Sequence, residues 1–238
     1  MSAKYKRVLL KLSGEQLAGK HEYGIDPEVA KYLANEIKKI QDIGVQIVII
    51  VGGGNMVRGE KLAGESGIKR VTADQMGMLS GLMNAMALTD LFEAEGLNTR
   101  CLSNIFAEQV AESFTFRLAE KHLQNNRVLL VAGGTGRPYS THDTAAILTG
   151  LELQCDIVLK ATKVDGVFDK DPMKHDDAKM HTHLAFQSAV ENSDVKVMDK
   201  AALGLAMEHG MPTIVFNAFK EDNLLKVVNG EQIGTTIS

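Results

Sequence analysis

The chain has 238 residues, of which 45% are hydrophobic and 24% charged, and its formal net charge is −4. This length suits one large α/β domain or two small ones, and the slightly acidic balance gives no sign of a nucleic-acid or anionic-membrane partner. Its apolar runs fall far short of the roughly twenty residues that cross a bilayer, and no signal h-region follows Met1. Cys101 and Cys155 are too few for a disulfide framework or a structural zinc site, so we expect two buried thiols in a cytoplasmic protein.

Short apolar runs of strand length recur along the chain. They are rich in β-branched residues and continuous rather than alternating, which is typical of strands buried on both faces of a sheet. The runs are Val8–Leu10, Gln46–Val51, Arg127–Val131, Ile157–Leu159 and Thr213–Phe216.

Segments with helical periodicity lie between these runs. Asp26 and Pro27 predict an N-cap and first helical position, and Gly44 predicts the end of the same helix. Further helices are predicted over Asp74–Glu95, Thr144–Leu153, Lys200–His209 and Asp222–Asn229. The alternation of strand and helix predicts an α/β fold, a three-layer αβα sandwich with a mainly parallel central sheet. We expect a single domain over residues 1–238, with ligands beyond the carboxyl ends of the strands.

The predicted helix over Asp74–Glu95 carries an apolar stripe made of Met76, Leu79, Leu82, Met83 and Met86. Its spacing is that of one helix face, which favours packing in the core or at a subunit interface. A soft, adaptable binding surface is the alternative.

Three predicted strands end in glycine-containing turns. These turns are Lys11–Glu15, Gly52–Asn55 and Gly133–Pro138. Without Cβ atoms a turn lets backbone N–H groups approach phosphate oxygens, so three such turns in an alternating chain indicate phosphate binding.

Two familiar phosphate loops do not fit. Gly14–His21 nearly matches the P-loop pattern, but His21 replaces the hydroxyl residue that would hold Mg²⁺, and no helix is predicted to follow. The dinucleotide pattern after Gly52 and Gly54 has Val57 where its third glycine belongs. An NAD-dependent oxidoreductase is therefore disfavoured.

The remaining pattern fits phosphoryl transfer, which needs anionic groups held in line by cations and amides. Lys11 lies at a buried strand end, where an ammonium group needs an anionic partner. Arg58 follows the triple-glycine turn, and Lys160 and Lys163 flank a later strand end. Asp143 opens a predicted helix, either as a functional carboxylate or only as an N-cap.

Several segments occur together and in order across the whole chain. They are Lys6–Glu15, Gly52–Gly59, Asp74–Leu79, Lys160–Phe168 with Asp171–Pro172, and Lys196–Asp199. Together they resemble the bacterial UMP kinases of the amino acid kinase superfamily. The resemblance implies a homohexameric αβα sandwich that uses ATP as donor and UMP as acceptor. It also implies Mg²⁺ carried mainly by the ATP phosphates, inhibition by UTP and, in many members, activation by GTP.

The resemblance also implies roles for individual residues. The implied catalytic residues are Lys11, Arg58 and Asp143. The implied ATP site comprises Lys11, Leu12, Ser13, Gly14, Gly54, Arg58, Thr162, Lys163, Phe168 and Asp171. The implied UMP site comprises Gly53, Asp74, Thr135, Gly136, Arg137, Pro138, Tyr139, Ser140, Thr141 and His142. The implied GTP response involves Gly19, Lys20, His21, Glu22, Tyr23, Gly24 and Arg100.

The chain departs from the family pattern at specific positions. Arg137, Ser140 and His142 stand where many relatives have Asn, an aromatic residue and Thr, so different side chains are available to contact uracil and ribose. Lys20–Tyr23 replaces a more glycine-rich segment. A kinase of small carboxylic acids and a non-catalytic nucleotide sensor are alternatives on the same scaffold. The segments at Asp74–Leu79 and Lys160–Phe168 disfavour the first, and the presence of Lys11 and Asp143 disfavours the second.

Overall fold

The computed structural model describes residues 3–57, 67–191 and 198–238. Its helices are α1 (Gly14–Leu17), α2 (Pro27–Asp42), α3 (Arg70–Ala94), α4 (Phe116–Gln124), α5 (His142–Glu152), α6 (Phe186–Glu191), α7 (Lys200–His209) and α8 (Asn223–Val228). Its strands are β1 (Arg7–Leu12), β2 (Gln46–Val51), β3 (Thr99–Ser103), β4 (Glu112–Ser113), β5 (Val128–Ala132), β6 (Ile157–Thr162), β7 (Val167–Phe168), β8 (Met180–His181), β9 (His183–Leu184), β10 (Thr213–Asn217) and β11 (Thr235–Ile237).

One large sheet runs in the order β4-β3-β5-β2-β1-β6-β10-β11-β9, and β7 and β8 form a separate antiparallel pair. Neighbouring strands of the large sheet are parallel except β10 and β11. The chain builds outward from β1 through β2 on one side and later through β6 on the other. The carboxyl ends of β1 and β6 therefore form a topological switch point, where open α/β sheets bind ligands.

Helices cover both faces of this sheet. Leu10 and Leu12 of β1 face a core shared with α2, α3 and α8, and Leu9 faces a second core shared with α4, α5, α6 and α7. The alternation follows from the period of two in a strand, which sends neighbouring side chains to opposite faces. The predicted three-layer sandwich with a mainly parallel sheet is confirmed.

The predicted strands and most predicted helices are also present. Asp26 caps α2 by accepting a hydrogen bond from the Glu28 N–H (3.0 Å), and Gly44 follows the helix end with φ of 83°. In contrast, α3 begins at Arg70, so the prediction that Asp74 opens this helix is wrong. Burial of Ala73 extends the helix N-terminally in spite of the two β-branched residues beside it.

The start of α5 also differs from the prediction, because Thr141 is its N-cap and accepts from the Asp143 N–H (2.9 Å). The N-cap alternative for Asp143 is therefore wrong, and its carboxylate is available for another role. Strand β3 and helix α4 were not predicted, since Thr99–Ser103 mixes polar and apolar residues and α4 buries only part of a short segment.

The residues of the apolar stripe on α3 differ in how far they are buried. Leu82 is 4% exposed, whereas Leu79, Met83 and Met86 are 48%, 55% and 36% exposed. The prediction that these three side chains pack in the core is therefore wrong. Their burial at a subunit interface stays a prediction. Of the two thiols, Cys155 is buried and Cys101 only half-buried, and burial raises the pKa of each to about 12. Along the described ranges, no helix is both long and apolar enough to span a membrane.

Candidate active site

Two lysines and one carboxylate meet at the switch point. Lys11 of β1 and Lys160 of β6 are register partners in adjacent strands, and both face α5. The Lys11 ammonium lies 2.8 Å from one carboxylate oxygen of Asp143, and the Lys160 ammonium lies 2.7 Å from the other. The exposed fraction of the side chain is 11% for Lys11, 15% for Lys160 and 12% for Asp143. We call this group the lysine–aspartate centre.

Electrostatics favour the ionised form of the carboxylate in this centre. Burial alone would raise the pKa of Asp143, but Lys11 and Lys160 outweigh it and hold that pKa below its ordinary value. Burial, assisted by Lys11, lowers the pKa of Lys160, while Asp143 opposes this shift. An anion bound beside the two amino groups would favour their charged forms, so the centre suits an anionic ligand.

A cavity of about 230 Å³ opens beside this centre. It is lined by Lys11, Ser13, Gly14, Gly52, Gly53, Gly54, Thr141, His142 and Asp143. Two of its glycines allow close backbone approach: a Cβ on Gly14 would lie 2.5 Å from the Gly52 carbonyl oxygen, and one on Gly53 would lie 2.5 Å from Cβ of Ser80. The cavity therefore combines bare backbone with a cationic wall, which suits phosphate groups.

A second cavity of about 460 Å³ lies on the other side of the centre and is large enough for a nucleoside. The structure brings the predicted residues Thr162, Phe168 and Asp171 together in its wall, with Lys160 beside them. Lys163 is exposed and is not among the residues that line it. Lys160 lines the larger cavity and pairs with Asp143, which lines the smaller one.

The loop over 133–142 is held to α3 by Asp74. One carboxylate oxygen of Asp74 accepts from the Tyr139 N–H (2.8 Å), and the other accepts from Nε of Arg70 (2.8 Å). The Arg70 guanidinium also lies 5.7 Å from the centre of the Tyr139 ring, within cation–π range. Tyr139 has a φ of 61° and a side chain that is 72% exposed. This group holds an exposed aromatic ring on the loop that leads into α5.

Other parts of the same loop are arranged by local contacts. Thr135 Oγ1 accepts from the Arg137 N–H (3.2 Å), and Gly136 has the left-handed φ of 70° that favours glycine. Ser140 Oγ is buried and has no hydrogen-bond partner within the described ranges. Arg137 is exposed and Pro138 half-buried.

His142 is a buried imidazole at the first position of α5. Its ring lies in a slot beside Gly52, Gly81 and Gly134, where added Cβ atoms would come within 4 Å of it. Burial, reinforced by Lys11 and opposed by Asp143, lowers the pKa of His142 to about 4, so the ring is neutral at physiological pH. Its Nε2 atom is buried, with no hydrogen-bond partner in the part of the chain that the structure describes.

The sequence indicated Lys160 only as a cation at a strand end, and it indicated no role for Asp199. Asp199 caps α7 by accepting from the Ala202 N–H (2.9 Å). Its carboxylate also accepts from Oγ1 of Thr141 (2.5 Å) and of Thr144 (3.1 Å), at the start of α5. The segment Lys196–Asp199 had been singled out in the sequence, but only the fold shows that its carboxylate supports the helix carrying Asp143.

The remaining predicted residues are not all brought to the cavities. Leu12 is fully buried in the core, so only its backbone can contribute to the site. Arg100 lies in β3 and pairs with Glu93 (2.8 Å). The segment 19–24 is a largely exposed loop, which Gly24 joins to Asn55 by backbone hydrogen bonding (3.2 Å). Arg58 lies outside the described residues.

Comparison with known proteins agrees with this geometry. The model of the amino acid kinase family matches residues 6–217. The chain is 46% identical over 226 residues to the uridylate kinase of Sulfurovum sp. (strain NBC37-1), covering 95% of this chain and 96% of that protein. The UMP kinase of Bacillus anthracis superimposes with a TM-score of 0.93 at 36% identity, over 98% of this chain and 96% of that one. The UMP kinase of Ureaplasma parvum gives 0.90 at 31% identity, over 99% of both chains.

A parallel sheet with cations at its switch point and glycine turns around them defines a phosphotransferase, and the chain belongs to the amino acid kinase family. Within that family it belongs to the bacterial uridylate kinases, which are nucleoside monophosphate kinases.

Proposed function

We propose that the chain catalyses reversible transfer of the γ-phosphoryl group from ATP to UMP, giving ADP and UDP, in the synthesis of UTP and CTP. The observation that carries the chemistry is the lysine–aspartate centre between a phosphate-sized and a nucleoside-sized cavity. The choice of UMP is supported by the uridylate and UMP kinases to which the chain is similar.

On this proposal the donor nucleoside occupies the larger cavity. Thr162, Phe168 and Asp171 line this cavity, and Lys163 lies on the exposed turn after β6. The ATP phosphates run along Lys11–Gly14 and Gly54. Arg58 completes this set. The acceptor lies against Gly53, Asp74 and the loop 135–142, so that the two phosphates meet beside Lys11.

The chain's own residues supply positioning and charge. The acceptor phosphate of UMP is largely ionised near pH 7 and needs no general base to attack. Lys11 and Lys160 stabilise the charge that spreads over the transferring phosphoryl group. Asp143 forms ion pairs with both ammonium groups through separate oxygens, so its role is to orient these cations rather than to accept a proton.

The proposal includes a magnesium ion that arrives with the nucleotide. In the described ranges, no group of three His, Cys, Asp or Glu side chains is arranged to hold a metal ion. Mg²⁺ usually keeps several waters and takes one or two carboxylates plus substrate phosphates rather than an all-protein cage. When bound as MgATP, it would neutralise charge on the phosphates.

The proposal extends to regulation and assembly. UTP, a pyrimidine nucleotide, inhibits, and GTP activates through the region of Arg100 and the loop 19–24. The exposed Leu79, Met83 and Met86 support burial of α3 between subunits of a homohexamer. The continuous sheet supports one domain over residues 1–238, and we propose a cytoplasmic location.

A panel of acceptors tests the reaction. With ATP and Mg²⁺, we expect rapid ADP formation with UMP and poor turnover with CMP, AMP and acetylglutamate, measured with and without UTP and GTP. Direct detection of UDP excludes futile ATP hydrolysis. Turnover on acetylglutamate with none on UMP contradicts the proposal, and nucleotide binding without turnover identifies a sensor instead.

A further inference from the structure

Two asparagine side chains form a buried pair behind the triple-glycine turn. Asn55 follows this turn and is 4% exposed, whereas Asn84 lies in α3 and is fully buried. Nδ2 of Asn84 donates to Oδ1 of Asn55 (2.6 Å), and Nδ2 of Asn55 donates to Oδ1 of Asn84 (3.0 Å). Two polar side chains in a hydrophobic layer are costly to bury unless their hydrogen bonds are made, and here each amide satisfies the other.

Each amide uses its second N–H on a backbone carbonyl. Asn84 donates to the carbonyl oxygen of Gly52 (2.7 Å), and Asn55 donates to that of Gly24 (2.6 Å). All four amide hydrogens of the pair are therefore engaged. The result is a closed network that joins α3, the triple-glycine turn and the end of the 19–24 loop.

The bond to Gly52 fixes the orientation of one peptide group in the turn. In a planar trans peptide the C=O and the following N–H point in opposite directions. Because the Gly52 carbonyl points toward Asn84 in α3, the N–H of Gly53 points away from that helix. Gly53 lines the smaller cavity together with Lys11, so this direction presents its N–H to an anion there.

The same pair also limits movement of the first turn. A Cβ on Gly14 would lie 2.5 Å from Oδ1 of Asn55, so the Asn55 side chain fills the space directly behind Gly14. The two glycine-containing turns of the cavity therefore rest against one amide network.

We propose that Asn84 is a positioning residue of the phosphotransfer site, and that with Asn55 it holds the Gly52–Gly53 peptide in the orientation that presents the Gly53 N–H to phosphate. The inference rests on the proposed function of the cavity as the phosphate site. It assigns Asn84 no contact with substrate, since its effect passes through the Gly52 carbonyl.

The test compares Asn84→Ala, Asn55→Ala and the double variant with the parent. We expect kcat for UMP phosphorylation to fall about tenfold or more in Asn84→Ala, because the Gly53 N–H no longer points at the transferring phosphoryl group. The KM for UMP should change less. The double variant should be no slower than the worse single variant, because the two side chains act as one unit. Thr89→Ala is the matched control, since Thr89 is a half-buried polar residue of α3 whose hydroxyl donates to the Ala85 carbonyl of the same helix (2.8 Å). It should keep the parent's kcat.

Asn84→Asp is a second variant that preserves the shape of the side chain. Its ionised carboxylate can still accept from Asn55 but cannot donate to the Gly52 carbonyl. We expect its kcat relative to the parent to rise as pH falls, because the protonated carboxyl regains one donor. A role in stability alone would lower the melting temperature without this pH signature.

The outcomes separate the two proposals. A parent enzyme that does not phosphorylate UMP contradicts the proposed function. An active parent whose folded Asn84→Ala and Asn84→Asp variants retain its kcat overturns the positioning role. Strictly additive losses in the double variant overturn the claim that the pair acts as a unit.

Discussion

Replacing Lys11 by methionine separates catalytic charge from structural charge in the lysine–aspartate centre. Methionine keeps the unbranched apolar stem but removes the ammonium group that lies 2.8 Å from Asp143. We expect kcat to fall about 10²–10³-fold, the usual cost of removing one preorganised group that stabilises transition-state charge. KM for UMP should change much less, because the charge matters most during transfer.

The same substitution should have a small effect on stability. At 2.8 Å the attraction lost between Lys11 and Asp143 is roughly 6 kcal/mol at an effective dielectric constant of about 20. Relief of the repulsion between the two lysines, and of the cost of burying the Lys11 ammonium, offsets much of it. Asp143 keeps Lys160 at 2.7 Å, so no buried charge is left without a partner. The free energy of unfolding should fall by less than about 2 kcal/mol. Asp143→Ala, which leaves two neighbouring cations without their carboxylate, should cost about 3–5 kcal/mol.

Initial rates at saturating ATP and UMP, together with urea unfolding of each variant, measure both effects. Lys31→Met is the control, because Lys31 is an exposed lysine that pairs with Glu95 (3.8 Å). It should leave kcat and stability nearly unchanged. A folded Lys11→Met variant with near-parental kcat would refute the role of Lys11. A stability loss as large as that of Asp143→Ala would refute the electrostatic account of the centre.

Two further predictions concern the acceptor side of the site. Because the pKa of His142 is lowered from 6.5 to about 4, the unfolded chain binds a proton that the folded chain does not between these pH values. The free energy of unfolding should therefore fall as pH drops from about 6.5 to 4, by roughly 3 kcal/mol from this residue. Urea unfolding should show this dependence weakened in His142→Asn. His122→Asn should keep part of this pH dependence, since the pKa of His122 is also lowered, chiefly by burial. If the free energy of unfolding varies with pH equally in His142→Asn and the parent, the dependence does not come from His142. For Asp74→Ala, which releases the Tyr139 N–H, we expect KM for UMP to rise about tenfold with kcat less affected. Asp90→Ala, an exposed change on the same helix, should leave KM unchanged, and an unchanged KM in Asp74→Ala counts against its place in the acceptor site.

Most of the fold could be predicted from local patterns. The run Gln46–Val51 forms a strand with those bounds, and Lys200–His209 forms a helix with those bounds, because continuous burial and side-chain capping are encoded within each segment. The start of α3 could not be predicted, since residues before Asp74 become helical through burial of Ala73. Strand β3 was missed because pairing with β5 on one side and β4 on the other compensates for its weak apolar pattern.

Some features of the candidate site could likewise be predicted from the sequence, and others could not. Glycine turns at strand ends and a lysine in an apolar strand are visible in the sequence, and they alone indicated phosphate chemistry at Lys11. The choice between an N-cap and a functional carboxylate for Asp143 was open until the structure showed Thr141 as the cap. Lys160 and Lys163 were both visible in the sequence as cations at a strand end, and the register of β6 against β1 places Lys160 beside Lys11.

The sequence by itself determined five strands and five helices, their order and the chemical class of the site, because these depend on residues close together in the chain. Only the tertiary structure decided which distant groups meet. Lys11 and Lys160 are neighbours because β6 adds beside β1, and Asp143 reaches both because α5 packs across that pair. The amide pair of Asn55 and Asn84 likewise exists only once α3 packs behind the triple-glycine turn. Contacts of this kind depend on sheet order and helix packing, which no short stretch of sequence specifies.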